Sequence, residues 1–387
     1  MNKGFPSFNN TEIAFAHKSP KEINNAIMLF KAFKYPILVN QGPKLAEWAL
    51  KLGLPIKGLI KKTVFKQFCG GEDVNDCSGT MKDLATANIG TILDYSVEGE
   101  SSEVNFDATM EEILLTLEKS AKTEHIPFCV FKVTGVMRFE LMEKVQAGNK
   151  LSKEEEEEFQ RAKKRVDTIC CRATEVNTKV LIDAEESWIQ NVIDGIALEM
   201  MASCNKEKCY IYNTIQLYRH DRLEYLKNCI STYDFFQGYK LVRGAYMEKE
   251  RERAKVMNYL SPIQIDKKST DKDYNLALEF CIKSLSKVEL CAGTHNEESS
   301  LYLCKLMEEH NIDKEDKRVY SGQLLGMSDH ISYNLAHANY HVVKYVPYGP
   351  VKSVMPYLGR RAQENSSIGG QIGRELQLLK KELARRA

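Results

Sequence analysis

Hydrophobic positions change their period near residue 90. Before that point apolar side chains return every three or four residues, over 24–33 and again over 45–59, the spacing of an amphipathic helix. Pro36 and the Gly42-Pro43 pair punctuate the pattern. Residues 1–85 therefore read as an N-terminal helical arm. From Gly90 the chain turns to short β-rich runs, most of them followed by a helical pattern. The runs are Thr91-Ile92-Leu93, Phe128-Cys129-Val130-Phe131, Val180-Leu181-Ile182, Tyr210-Ile211-Tyr212, Tyr239-Lys240-Leu241-Val242, Val288-Glu289-Leu290-Cys291, Val319-Tyr320 and Val342-Val343-Lys344-Tyr345. Between them lie helices such as 109–119, where Thr109 and Glu112 have the spacing of a capping box. Eight β-α repeats across residues 86–387 fit an α/β (βα)8 barrel better than an open doubly wound sheet. No G-x-G-x-x-G follows the first run, which argues against a dinucleotide-binding unit.

One segment breaks the rhythm. Residues 138–165, between the second and third runs, carry glutamates at 154–158 followed by Arg161, Lys163, Lys164 and Arg165. Acid before base at helical spacing predicts a solvated, inserted helical hairpin.

Composition narrows the class. At 387 residues with a formal net charge of +1, the chain has no nucleic-acid footprint. Its apolar runs are too short to span a bilayer, and no basic amphipathic anchor stands out, so any membrane contact is expected to be peripheral. The first residues lack the pattern of a secretory signal and of an Arg-rich presequence, as expected of a bacterial protein or a trimmed chain. The eleven cysteines are scattered without C-x-x-C pairs, which suggests buried thiols rather than a zinc site or a disulfide ladder.

In such a barrel the C-terminal strand ends line the catalytic mouth. Here they offer Asp94, Lys132, Asp183, Gln216, Lys240 with Arg243, Thr294-His295-Asn296, Gln323 and Tyr345. Any one of these has a bland explanation, since strand ends meet solvent and polar residues cap helices; a whole ring of them is harder to dismiss. Lys132 alone reads equally as a Schiff-base nucleophile or as a cation for a carboxylate or phosphate. Asp183 could pair with it, and such pairs are often structural. After Lys240 and Arg243, whose charge suits a phosphate or a reduced flavin, Gly244 permits a close backbone approach. The Thr294-His295-Asn296 turn suits phosphate or ribose. Beyond the last run, Tyr357, Arg360, Arg361 and Glu364 share one helix face. Two adjacent guanidiniums invite an anion, and their planar forks favour a carboxylate or phosphate.

Taken together, KLVRGAYMEKERERA, VLIDAEE, SGQLLGMSD, AGTHNE and YVPYGPVKSVMPYLGRRAQENSS closely resemble the proline dehydrogenase family, in its stand-alone form. The resemblance implies a distorted (βα)8 TIM barrel with non-covalent FAD at the strand C-termini. It implies oxidation of L-proline to Δ1-pyrroline-5-carboxylate by hydride transfer to flavin N5, electrons passing to a quinone, as the first step of proline catabolism. Carried over by motif, Lys132, Arg360 and Arg361 clamp the substrate carboxylate, while Tyr345, Tyr357 and Leu324 shape the ring pocket. Glu98 pairs with Arg360 as a gate. Lys240 lies near N5 beside Gln216, and Asp183 or Lys132 handles the amine proton. The rest of FAD is held by Ala184, Val242, Arg243, Gly244, Ala245, Tyr246, Lys267, Thr294, His295, Asn296, Gln323 and Glu364. A bulky Tyr345 favours proline over 4-hydroxyproline, leaving a hydroxyproline dehydrogenase as the alternative within the family. The expected setting is the cytoplasmic face of a bacterial inner membrane or the mitochondrial matrix and inner membrane, with hand-off of product to pyrroline-5-carboxylate dehydrogenase. Outside the family, a Schiff-base aldolase using Lys132 and a non-catalytic carboxylate-binding barrel remain as readings.

Overall fold

The computed structural model describes residues 5–96, 102–367 and 371–387. Eight parallel strands close into a barrel in chain order. They are β1 (Ile89–Tyr95), β2 (Phe128–Lys132), β3 (Lys179–Asp183), β4 (Ile211–Gln216), β5 (Gln237–Val242), β6 (Val288–Gly293), β7 (Val319–Leu324) and β8 (Val342–Tyr348). All eight β-rich runs of the sequence become strands, most extended at the C-terminal end. β8 runs three residues past Tyr345, so that side chain sits within the strand rather than at its end.

The chain divides into two compact units, Gly99–Gly322 and Met1–Glu98 with Gln323–Ala387. In the first, strand alternation places every second residue of a strand on the barrel interior. Phe128 meets the rings of Tyr212 and Tyr320 edge-on, with centroids 5.3 and 4.9 Å away. Lys179 sets its ammonium 5.6 Å from the Phe128 and Tyr320 rings. It also pairs with Glu289 at 2.5 Å, and the same carboxylate oxygen accepts the Tyr212 hydroxyl at 2.5 Å. These groups make a packed floor at the N-terminal ends of the strands. Gly238 is required there, because a Cβ on it would fall 2.4 Å from the Tyr212 ring.

The charged segment between β2 and β3 forms helices Phe139–Gln146 and Lys153–Glu175, the second opened by a Ser152–Glu155 capping box. It is not simply solvated. The long helix is the crossover into β3 and buries Ala162, Val166, Ile169, Cys170 and Ala173. Arg165 is buried with them and pairs with Glu103 and, at 2.6 Å, with Asp107. The helix expected at 109–119 spans Glu103–Ala121 and is capped by Ser102. Thr109 is interior to it and buried, and Phe106 carries the apolar face one turn further back than the capping-box spacing suggested.

In the second unit β1 and β8 pair from Ile89↔Val342 to Tyr95↔Tyr348. The arm is helical as expected, but the Pro36–Lys51 helix runs through Pro43 instead of stopping at Gly42-Pro43. Its residues Val39, Ala46 and Leu50 join an apolar core with Phe30, Phe68, Tyr357, Leu358 and Leu379. Packing on that core outweighs the missing backbone bond. The same helix exposes Leu45, Trp48 and Leu52 beside exposed lysines, so the expected lack of a basic amphipathic surface does not hold. Lys344 of β8 is fully buried; its ammonium donates to the Met327 carbonyl at 2.6 Å and meets Asp329 at 2.9 Å. All eleven cysteines are unbridged and nine are buried, Cys171 being exposed and Cys204 intermediate.

Gly238→Ala should lower stability by about 1–3 kcal/mol through the clash with Tyr212. Urea unfolding followed by circular dichroism would measure it, and an unchanged midpoint would show that the floor is loosely packed.

Candidate active site

Lys132, Asp183 and Gln216 are the last residues of β2, β3 and β4. Parallel register puts Lys132 beside Asp183, and Thr214 beside Lys240 one layer deeper. Lys240 is buried, and its long side chain reaches the Asp183 carboxylate in a close ion pair. Asp183 thus meets a cation from two strands away, which sequence neighbourhood could not reveal. Gln216, also buried, donates its side-chain amide to the Glu185 carbonyl at 2.7 Å. That bond holds the turn after β3, where Ala184 is buried too.

Glu185 was missed in the sequence. Its carboxylate accepts the Thr134 backbone N–H at 3.1 Å and the Thr134 hydroxyl at 2.5 Å. Burial pushes its pKa up to about 7, against the pull of those bonds and of the Lys132 charge. A signal was present: two acids stand between the strand end and the helix Ser187–Cys204, and both Glu185 and Glu186 are buried there.

β5 leads into Arg243-Gly244-Ala245. Gly244 has φ +133°, and a Cβ on it would lie 2.5 Å from the Tyr218 ring. Only glycine fits. The Tyr218 hydroxyl is buried without a hydrogen-bond partner among the described residues. Arg243 spreads its guanidinium over the Tyr274 ring at 4.4 Å. Its donors reach Asp271 at 2.7 Å, the Thr294 hydroxyl at 2.6 Å and the Ser299 hydroxyl at 3.0 Å. Asp271 also binds Lys267, so one carboxylate joins two of the expected cofactor residues. Asn296 caps the helix Glu297–Glu309 by accepting the Ser299 N–H, and its own N–H donates to Thr294. His295 is half-buried in that turn, whereas Ala245 is exposed and Tyr246 half-buried where the helix Met247–Val256 begins. Val242 gives its carbonyl to the Leu217 N–H.

A flavin fits these residues. A glycine-only turn, an orphaned buried hydroxyl and a Gln216 carbonyl oxygen that accepts no bond from the described residues stand beside Lys240 and Arg243. The donor set suits a ring carrying amide groups joined to a phosphate.

The other unit carries the arginine helix, Met355–Ser367. Tyr357 and Arg361 are buried, with the guanidinium 5.0 Å from the Tyr357 ring centroid. Arg361 pairs with Glu364 at 2.6 Å. The Tyr357 hydroxyl is buried and has no hydrogen-bond partner among the described residues. Arg360 is partly exposed one position before Arg361. Tyr345 is half-buried on β8, and Leu324 gives its carbonyl to Lys344 at 3.3 Å. Gln323 is buried and accepts the Ser332 hydroxyl at 2.8 Å. The structure thus brings Tyr357, Arg361 and Glu364 together as spacing predicted. Glu98, the expected gate, lies outside the described residues.

Glu185→Gln should gain stability relative to the parent as pH rises from 5 to 8. The folded carboxyl keeps its proton to about pH 7, while an unfolded one loses it near 4.5. Folding therefore binds a proton across that window, and the parent weakens as pH climbs through it. Thermal melts at both pH values would test this; a constant gap would show that Glu185 ionises normally.

Comparison with known proteins gives one family. Residues 77–374 match the family described as "Proline dehydrogenase". "Proline dehydrogenase 1, mitochondrial" of Dictyostelium discoideum is 31% identical over 97% of this chain and 74% of its own length. "Hydroxyproline dehydrogenase" of Xenopus laevis is 32% identical over 96% of this chain and 88% of its own. Among solved structures, proline utilization A from Bdellovibrio bacteriovorus, inactivated by N-propargylglycine, superposes with a TM-score of 0.74 at 19% identity. That match covers 95% of this chain and 40% of the other, so this chain spans less than half the length of that solved protein. The matches remove the aldolase and the non-catalytic barrel. With its closed eight-stranded barrel, the chain belongs to the proline dehydrogenase family of oxidoreductases, which takes the first step of proline catabolism.

Proposed function

We propose that this chain oxidises L-proline to Δ1-pyrroline-5-carboxylate with FAD and passes the electrons to a quinone. The observation that carries the reading is the Tyr357–Arg361 pair: a buried guanidinium over an aromatic ring whose hydroxyl has no hydrogen-bond partner among the described residues. Such a pair accepts a small, flat, anionic molecule. Arg361 and Arg360 would hold the carboxylate, by the fork geometry that matches it. Lys132 would add a further cation from β2. Gln216, Lys240, Arg243, Gly244, Thr294 and His295 would hold the flavin, which supplies hydride acceptance when bound.

The protein's own work is positioning and charge. Holding the carboxylate turns the ring carbon next to nitrogen into a fixed reactant. The amine must be neutral for its lone pair to assist, so a group has to manage its proton. Asp183, tethered by Lys240, and Lys132 are the groups available for this. Relatives named as mitochondrial support that compartment. Release of product to a pyrroline-5-carboxylate dehydrogenase follows from the same place in catabolism.

A second reading, oxidation of 4-hydroxyproline, is favoured by the likeness to a hydroxyproline dehydrogenase. Tyr345, half-buried on β8, would leave less room for the extra hydroxyl and supports proline.

Anaerobic addition of L-proline to the purified holoprotein should bleach the flavin bands. Bands that persist would keep the cofactor and remove the substrate. Arg361→Ala should raise KM for proline about 10–100-fold, the worth of one charged hydrogen bond; an unchanged KM would move the carboxylate elsewhere. With Tyr345 intact, kcat/KM should favour proline over 4-hydroxyproline, and Tyr345→Ser should narrow the ratio. Equal efficiencies in the parent would overturn the assignment of Tyr345.

A further inference from the structure

The Pro36–Lys51 helix is apolar on two opposite faces. Val39, Ala46 and Leu50 turn into the core. Leu38, Leu45, Trp48 and Leu52, at intervals of seven, three and four, share the other face and stay 55–62% exposed. Tyr35 and Ile37 extend it at its N-terminal end, 64% and 72% exposed. An all-round apolar helix belongs in a core, and an exposed contiguous stripe marks an interaction surface.

Charge identifies the partner. Residues 23–71 hold eight lysines and one acid, Glu47, in a chain whose totals are 54 basic and 53 acidic. All eight lysines are exposed. Lys57 and Lys61 share Glu72, and Lys66 reaches Glu22. Lys31, Lys34, Lys44, Lys51 and Lys62 meet no carboxylate among the described residues. Lys44 and Lys51 stand at the margin of the exposed stripe, where a long side chain can reach toward headgroups while its stem lies along apolar surface.

We propose that this face docks on an anionic lipid bilayer, with the helix lying in the interface and Leu45, Trp48 and Leu52 entering the acyl boundary. Among the described residues no helix is long and apolar enough to cross a membrane, so the helix rests on the surface rather than spanning it. A second copy of this chain fits poorly, because its own lysine fringe would face this one. The proposal deepens the quinone reading above by naming where the bilayer is met. Vesicle binding is measured without turnover, so either idea can fail alone.

The full-length protein would be floated with vesicles of phosphatidylcholine, with or without phosphatidylglycerol, at low and high salt. Binding is expected on the anionic vesicles alone, and high salt should weaken it at least about tenfold. Lys44→Glu with Lys51→Glu should weaken it about tenfold or more, from the charge each lysine loses near the surface. Leu45→Ser with Trp48→Ser should do the same while leaving the melting temperature and the bleaching by proline unchanged. Equal flotation with neutral and anionic vesicles would overturn the proposal, as would undiminished binding by both double variants. So would a dimer that Trp48→Ser dissociates without any vesicle binding, since that would give the face to a second copy.

Discussion

An ammonium in the middle of a closed barrel has no bulk water to turn to, and Lys240 is in that position. Asp183 meets it there in a close ion pair. Breaking an ion pair held this far inside the protein is far costlier than losing a surface pair. The pair ties the end of β3 to the inner part of β5, and Gln216 on the strand between them holds the turn that follows β3. The polar side chains of the mouth are therefore braced from strand to strand before any ligand arrives. Below them the Lys179–Glu289–Tyr212 contacts fill the floor, so polar groups are tolerated at both ends of the barrel for different reasons.

Much of this was legible in the chain. Parallel strands buried on both faces read as short apolar runs, so all eight were visible, and their count specified a barrel. The Tyr357–Arg361–Glu364 cluster was legible because helical spacing alone brings those residues together. Partnerships across strands were not. Nothing near Asp183 in the sequence points to Lys240, and Arg243 finds Asp271 and Ser299 only after β5 and β6 have paired. Glu185 was overlooked because a carboxylate in a run of acids normally faces water. Helix boundaries failed where packing overrode a local rule, as at Pro43.

The arm shows how one helix can serve two environments. Its inner face completes the core beneath the arginine helix, and Pro43 presses on Gly359, where a Cβ would lie 3.1 Å away. Gly359 directly precedes Arg360, so the arm sets how closely the backbone carrying the arginine pair can be approached. A larger side chain at that glycine would push against Pro43 and move the two helices apart.

The buried Lys344 carries a consequence for how the protein is made. Its ammonium meets Asp329, and that carboxylate also receives Lys18 at 3.1 Å from the start of the chain. The core of the arm, from Ala14 to Cys69, is completed by residues from Met327 onward. During synthesis the arm therefore emerges first and must wait for nearly the whole polypeptide before its apolar residues find their partners. Contacts so distant in sequence form slowly. For that interval the nascent chain presents uncovered helices to the cell, making its first segment the natural client of chaperones and the last part of the fold to become protected from proteases.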